Sequence, residues 1–156
     1  MNKKLFIITG APNSRKSSVI RALTGIRDTN TFQIQFENVT EPNQTHVMVV
    51  SPNEIKSTVY ETGMNTKQLI EYLKNLNNDV TEVIFPLRSS NPNFDLPLAS
   101  EYIQDLVNEG FEIAEVIMFN NEITLPLGVQ GIVVDSNRNI PSNLTASKLR
   151  KIWGIV

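Results

Sequence analysis

The sequence predicts an α/β fold: a mainly parallel sheet flanked by helices on both faces, a three-layer α/β/α arrangement. Three observations carry this expectation. Short apolar, β-branched runs alternate with helix-period segments through most of the chain, the order expected of βαβ units. The first run, Leu5 to Thr9, is apolar at consecutive rather than alternate positions, which suits a strand buried on both faces. At 156 residues, 40% hydrophobic and 19% charged, the chain has the length and composition of one globular domain. No repeat, linker or compositional break divides it, so residues 1–156 read as a single domain.

Gly10 to Arg15 reads as a loop after the first strand. Lys16 to Leu23 follows as a helix, with Val19, Ile20 and Leu23 on one face and Gly25 just past its end as the stop. Phe32 to Phe36 alternates with period two, as a half-exposed strand does, and Val47 to Val50 is a second, apolar strand. With a turn at Glu41-Pro42-Asn43-Gln44 between them, the two are placed to form a hairpin. Ser51 to Met64 reads mostly as loop. Asn65 or Thr66 caps a helix running to about Leu76, with Leu69, Ile70, Leu73 and Leu76 toward the core. Glu82 to Leu87 is a strand, and Pro86, lacking an N–H, marks where its pairing stops. After a loop from Ser89 to Pro97, Leu98 to Asn108 is a helix with Tyr102, Ile103, Leu106 and Val107 inward and Gly110 as its stop. Ile113 to Phe119 and Gly131 to Val134 are strands. Asn139 to Ser142 is a turn, and the last helix starts near Asn143 and presents Leu144, Leu149, Ile152 and Trp153.

Composition removes several kinds of chemistry. There is no cysteine, hence no disulfide and no thiolate nucleophile. His46 is the sole histidine, too few for a histidine–cysteine zinc site, and no G-x-S-x-G elbow accompanies it to make a serine triad. A net charge of −2 supplies no general basic face, so nucleic acid is not expected as a partner. Lys3 and Lys4 before an apolar run resemble the start of a leader, but the run is short and no small-residue cleavage site follows it. No stretch is long enough to span a bilayer. The expectation is a cytoplasmic protein without a membrane partner. Asparagine is frequent, as in Asn77-Asn78, Asn91-Pro92-Asn93 and Asn120-Asn121, and marks loops.

The segment richest in chemistry is Gly10-Ala11-Pro12-Asn13-Ser14-Arg15-Lys16-Ser17, between the first strand and the first helix. It fits G-x-x-x-x-G-K-[ST] at every fixed position except one, since Arg15 stands where the second glycine belongs. Such a loop wraps a phosphate so that main-chain N–H groups point inward. The new helix adds its unpaired N–H groups and the positive end of its dipole. A lysine supplies a point charge for the β and γ phosphates, and the hydroxyl after it binds Mg²⁺. Arginine at the sixth position is costly wherever φ is positive or the backbone must approach a ligand. Two arrangements follow: Arg15 points outward and the cradle stays intact, or the loop is remodelled and binding is weakened or lost.

The segment resembles a Walker A loop in the G-x-P-x-S-G-K-[ST] form of kinase-like P-loop NTPases, and Ile7-Ile8-Thr9-Gly10 resembles the strand that leads into one. That resemblance implies a P-loop NTPase-like fold that binds ATP or GTP with Mg²⁺. It makes Lys16 the phosphate lysine, Ser17 the magnesium ligand and Gly10 the opening turn, with Ser14 and Ser18 lining the phosphate site. Ala11, Pro12, Asn13 and Arg15 complete the nucleotide-binding loop. The family also carries an acid at the end of a neighbouring apolar strand. Here Glu82 to Leu87 ends instead in Arg88, which at the carboxyl edge of the sheet would reach a phosphate or acidic substrate. Lys16 and Arg88 are therefore the candidate catalytic residues, and Glu54 and Asp135 the candidate substitutes for the acid. The loop near Asn137 to Asn143 is placed to border a base. Trp153 reads as packing, Arg150 and Lys151 as a solvated face.

Three functions are consistent with these residues. The first is a nucleotide-binding module with weak or no turnover, acting as a sensor or partner subunit. The second is a small kinase-like phosphotransferase or NTP hydrolase. The third is a non-binding P-loop relic that serves as an interaction domain for a protein partner. Arg15 and the missing acid favour the first.

Overall fold

The computed structural model describes residues 3–37, 39–54, 63–92 and 95–156. Its strands are Lys4–Gly10 (β1), Asn30–Ile34 (β2), Asn43–Val47 (β3), Val80–Arg88 (β4), Glu112–Ile113 (β5), Val116–Phe119 (β6) and Gly131–Val134 (β7). Its helices are Lys16–Thr24 (α1), Thr66–Lys74 (α2), Ala99–Asn108 (α3) and Ser142–Trp153 (α4). All the strands join one mixed sheet in the order β2-β3-β4-β1-β6-β7, with β5 beside the start of β1. Among the described residues every pairing of these strands is parallel except the β2–β3 hairpin, and an isolated antiparallel bridge joins Phe36 to Ile155. The expected α/β class, with a mainly parallel sheet between helices, is what the chain adopts.

Alternation along β1 builds two cores at once, because successive side chains leave a strand on opposite faces. Leu5 and Ile7, with Val83, Phe85 and Leu87 of β4, meet Leu69 and Leu73 of α2 and Tyr102, Ile103 and Leu106 of α3. Phe6 and Ile8, with Ile84 of β4, meet Val19, Ile20 and Leu23 of α1 and Ala146, Leu149 and Trp153 of α4. Each Val, Leu, Ile or Phe among them contributes about 1.5–3 kcal/mol on full burial. The helix starts differ. Asn65 and Gln68 form a reciprocal capping box on α2, satisfying two N–H groups that the helix leaves open. The first turn of α1 has no side-chain cap. No helix among the described residues is long and apolar enough to cross a membrane.

Several elements depart from expectation. The turn expected at residues 41–44 and the strand expected at Val47 to Val50 are displaced: β3 takes the polar stretch Asn43 to Val47. Two of its polar side chains find partners on neighbouring elements, Asn43 on Glu82 of β4 and His46 between Thr31 of β2 and Tyr72 of α2, so tertiary neighbours override local polarity. Pro86 does not end pairing, since β1 and β4 stay in register through Ile8 with Pro86 to Gly10 with Arg88. The Ile84 carbonyl accepts from Met48 N–H, so the Ile84 side of β4 faces β3. Pro86 shares that side, and its missing donor falls beyond the last β3 partner, Val47 opposite Ile84. The strand expected from Ile113 to Phe119 is split, because the Glu115 carbonyl leaves the ladder to accept from the Trp153 indole N–H at 2.8 Å. Leu144, expected inward on α4, is exposed, and Thr145 and Ala146 take the buried positions. Arg150, read as solvated, donates to the Ala22 and Leu23 carbonyls at the end of α1, at 3.0 and 3.1 Å. Of the expected loop from Ser51 to Met64, residues 55–62 lie outside the described residues, as do Asn93 and Phe94 of the loop after β4.

Candidate functional site

The carboxyl ends of β1 and β4 lie side by side, Gly10 opposite Arg88. From there the chain leaves in two directions. After β1 it runs through α1 toward β2 and β3, and after β4 it crosses through α3 to β5 and β6 on the far side of β1. In an open α/β sheet such a parting leaves a crevice at the strand ends, the usual place for a ligand.

The loop from Gly10 to Ser18 sits on that edge. A Cβ on Gly10 would stand 2.4 Å from Ser14 Oγ and 3.2 Å from Phe119 Cβ, so only glycine lets the loop fold back this closely. Ala11 and Ser14 close a turn, with Ser14 N–H donating to the Ala11 carbonyl at 3.2 Å and Ser14 Oγ to the same carbonyl at 2.7 Å. Asn13 and Arg15 both take the left-handed conformation, at φ 66° and 71°. Asparagine adopts it readily, whereas arginine is strained there. Arg15 precedes α1 directly, and its guanidinium extends outward to the Arg138 carbonyl at 3.4 Å. The direction of the side chain is the outward one of the two expected. The amides of Lys16, Ser17 and Ser18 open α1 and have no intrahelical acceptor, as at any helix start.

Lys16 turns back over the loop. Its Nζ donates to the Gly10 carbonyl at 3.0 Å, the Ala11 carbonyl at 2.9 Å and Ser14 Oγ at 3.4 Å. The residue is 7% exposed. Among the described residues it forms no ion pair. Burial pulls its pKa from 10.5 down to about 8, the Glu54 carboxylate opposes that shift, and the Arg88 guanidinium adds to it. A cation in this position is stabilised when an anion arrives.

Arg88 projects from the end of β4 and pairs with Glu54 at 3.1 Å, while also donating to the Asn91 carbonyl at 3.1 Å. The expected cation and one of the two expected acids thus neutralise each other beside Lys16. The other acid, Asp135, is exposed at the end of β7. Ser17 donates its hydroxyl to the Val49 carbonyl at 2.6 Å, so a metal at Ser17 would require that hydroxyl to turn. Ser18 is half-buried in the first turn. Pro12 is half-buried and Asn13 exposed at the tip of the loop. Trp153 packs edge-on against Phe6, far down the core, as its reading as packing implies. Among the described residues no group of three or more His, Asp or Glu side chains is gathered as a metal cage.

No family model, curated protein or solved structure matches this chain.

Three residues that sequence reasoning did not single out, Asn53, Asn120 and Ser136, hold strand ends and the loop at this edge. Asn53, fully buried, accepts from Arg88 N–H at 2.9 Å and donates to the carbonyls of Arg88 at 3.0 Å and Pro97 at 2.9 Å. Asn120 does the same for Ser136, accepting from its N–H at 2.9 Å and donating to its carbonyl at 2.8 Å. Each side-chain amide imitates the main chain of a neighbouring strand, engaging both the N–H and the carbonyl of one residue at a strand's carboxyl end. Ser136 in turn donates its hydroxyl to the Ser14 carbonyl at 2.7 Å. The signal was present in the sequence: both asparagines closely follow apolar runs, at Val47 to Val50 and Val116 to Phe119. A cavity of about 540 Å³ lies beyond the end of β3, walled by Met48, Val49, Met64 and Tyr72, with Arg21 and Glu54 also lining it.

Proposed function

We propose that this chain binds the phosphates of ATP or GTP, with Mg²⁺, on the loop from Gly10 to Ser18, with weak or no turnover, as a sensor or partner subunit. The observation that carries the proposal is Lys16: a nearly buried ammonium held by the loop's own oxygens, at an uncapped helix start on the carboxyl edge of a parallel sheet. Three sources of positive potential converge there, the helix dipole, the free amides and the ammonium. The central position of β1 and the helices on both faces support a P-loop NTPase-like fold for the domain. Gly10 supplies the close approach, and Arg15 keeps the backbone conformation that glycine would take while its side chain leaves the loop. The low expected turnover rests on Arg88, which stands where the family has an acid and is already paired with Glu54.

Lys16 provides the charge on the β and γ phosphates, and the first-turn amides of α1 orient them. Ser17 is the candidate contact to Mg²⁺, which would neutralise phosphate charge. Calorimetric titration with ATP and with GTP, each with and without Mg²⁺, tests the reading. Lys16→Ala should weaken binding by at least about tenfold, as loss of a charge-assisted contact does. Equal affinity of the variant and the parent would remove the site assignment. The cavity beside Glu54 supports a second reading, a kinase-like phosphotransferase whose acceptor occupies it. Phosphate release or transfer measured in the same samples separates the two.

A further inference from the structure

We propose that Ser136 is a positioning residue for the phosphate loop: its hydroxyl holds the Ser14 carbonyl, turns the Arg15 amide toward the bound phosphate, and so makes an arginine workable at a glycine position. This inference rests on the phosphate-binding reading and names the device that makes the loop competent. Ser136 and Ser14 are both nearly buried, so their 2.7 Å hydrogen bond is shielded from competing water. The serine is itself immobilised, because Asn120 grips its N–H and carbonyl and the Asn120 N–H donates to the Val134 carbonyl at 3.0 Å. An unbroken run of hydrogen bonds therefore leads from the ends of β6 and β7 to the middle of the loop.

Peptide geometry converts that grip into an orientation. The Ser14–Arg15 peptide is trans, so the Arg15 N–H points opposite to the Ser14 carbonyl. Fixing the carbonyl on Ser136 sends the amide away from the β7–α4 connection and across the loop. A non-glycine residue at φ 71° gains by relaxing out of the left-handed region, and relaxation would rotate this same peptide. Glycine has no such tendency. The bond from Ser136 thus acts where the sequence departs from the phosphate-loop pattern. The Arg15 guanidinium on the Arg138 carbonyl is a second tie to the same connection.

The test is ¹⁵N-resolved NMR with Mg²⁺-ATP as the titrant, read together with calorimetric affinity. In the parent protein the Arg15 amide should shift on titration along with Lys16 and Ser17. Ser136→Ala should bind at least about tenfold more weakly, and its Arg15 amide should no longer respond. In Arg15→Gly the further change Ser136→Ala should cost less than about threefold, because glycine holds the conformation unaided. That coupling separates positioning from a general structural role, which would weaken both backgrounds alike. If the parent binds ATP but its Arg15 amide stays still, the inference falls and phosphate binding stands. Equal losses in both backgrounds overturn the inference in the same way. If the parent does not bind at all, both fall. Should Ser136→Ala fail to fold, the Arg15 amide of the parent decides alone.

Discussion

At the scale of single residues, Arg15 is the position where sequence and backbone are in tension. An L-residue in left-handed backbone costs roughly 1–2 kcal/mol, and glycine's greater freedom in the unfolded chain offsets part of any relief. Arg15→Gly should therefore raise stability by about 0.5–1 kcal/mol, read as a higher urea midpoint at unchanged slope. A lower midpoint would show the conformation to be unstrained. His46 makes a prediction in pH. Its ring lies between Thr31 Oγ1 and the Tyr72 hydroxyl, each at 2.7 Å. Burial, helped by the Lys3 charge, pulls its pKa from 6.5 to about 4. Below pH 6.5 the unfolded chain takes up a proton that the folded chain refuses until about pH 4. Stability from this group is thus complete above pH 6.5 and falls by roughly 3 kcal/mol on the way to pH 4. The stability gap between the parent and His46→Gln should narrow over that interval, and a constant gap would refute the assignment. The motif residues Gly10, Lys16 and Ser17 were legible because their spacing is local. The partners of His46 were not, since Thr31 and Tyr72 come from other elements.

At the scale of elements, the carboxyl edge of the sheet is finished by side chains as much as by strands. Asn53 ties the end of β4 to the segment leading into α3. Asn53→Ala would leave buried main-chain groups of Arg88 and Pro97 unpaired, at a cost of about 3 kcal/mol measured by urea unfolding. A loss below about 0.5 kcal/mol would mean that the strand end is held by other means. Helices α1 and α4 show the same principle, where Arg150 occupies the open carbonyls at the end of α1 and complements its dipole. The period-two and period-3.6 signals located most elements. They failed at β3, where polar residues form a strand because β2 and β4 supply their partners. They failed again at Glu115, where one indole N–H breaks a strand in two.

At the scale of the whole molecule, β1 and β4 contribute to both cores, so neither face has a separate foundation. Leu73→Ala on one face and Leu149→Ala on the other should each cost about 2–5 kcal/mol. Both should shift one common transition, seen alike by far-ultraviolet dichroism and by Trp153 fluorescence. Two separate transitions in either variant would mean that the chain is not one cooperative domain. The same shared strands bring the loop after β1 and the end of β4 together, where Lys16, Glu54 and Arg88 act on one another's charges.

The sequence alone determined the class of fold, the buried first strand and the loop that follows it, because hydrophobic period and motif spacing are properties of neighbouring residues. Only the tertiary structure decided that Arg88 would be paired with Glu54, that Arg15 would face outward, that Asn53 would tie the end of β4, and that Asn120 would hold Ser136 against the Ser14 carbonyl. Those outcomes depend on contacts between residues distant along the chain, and strand order and register set such contacts.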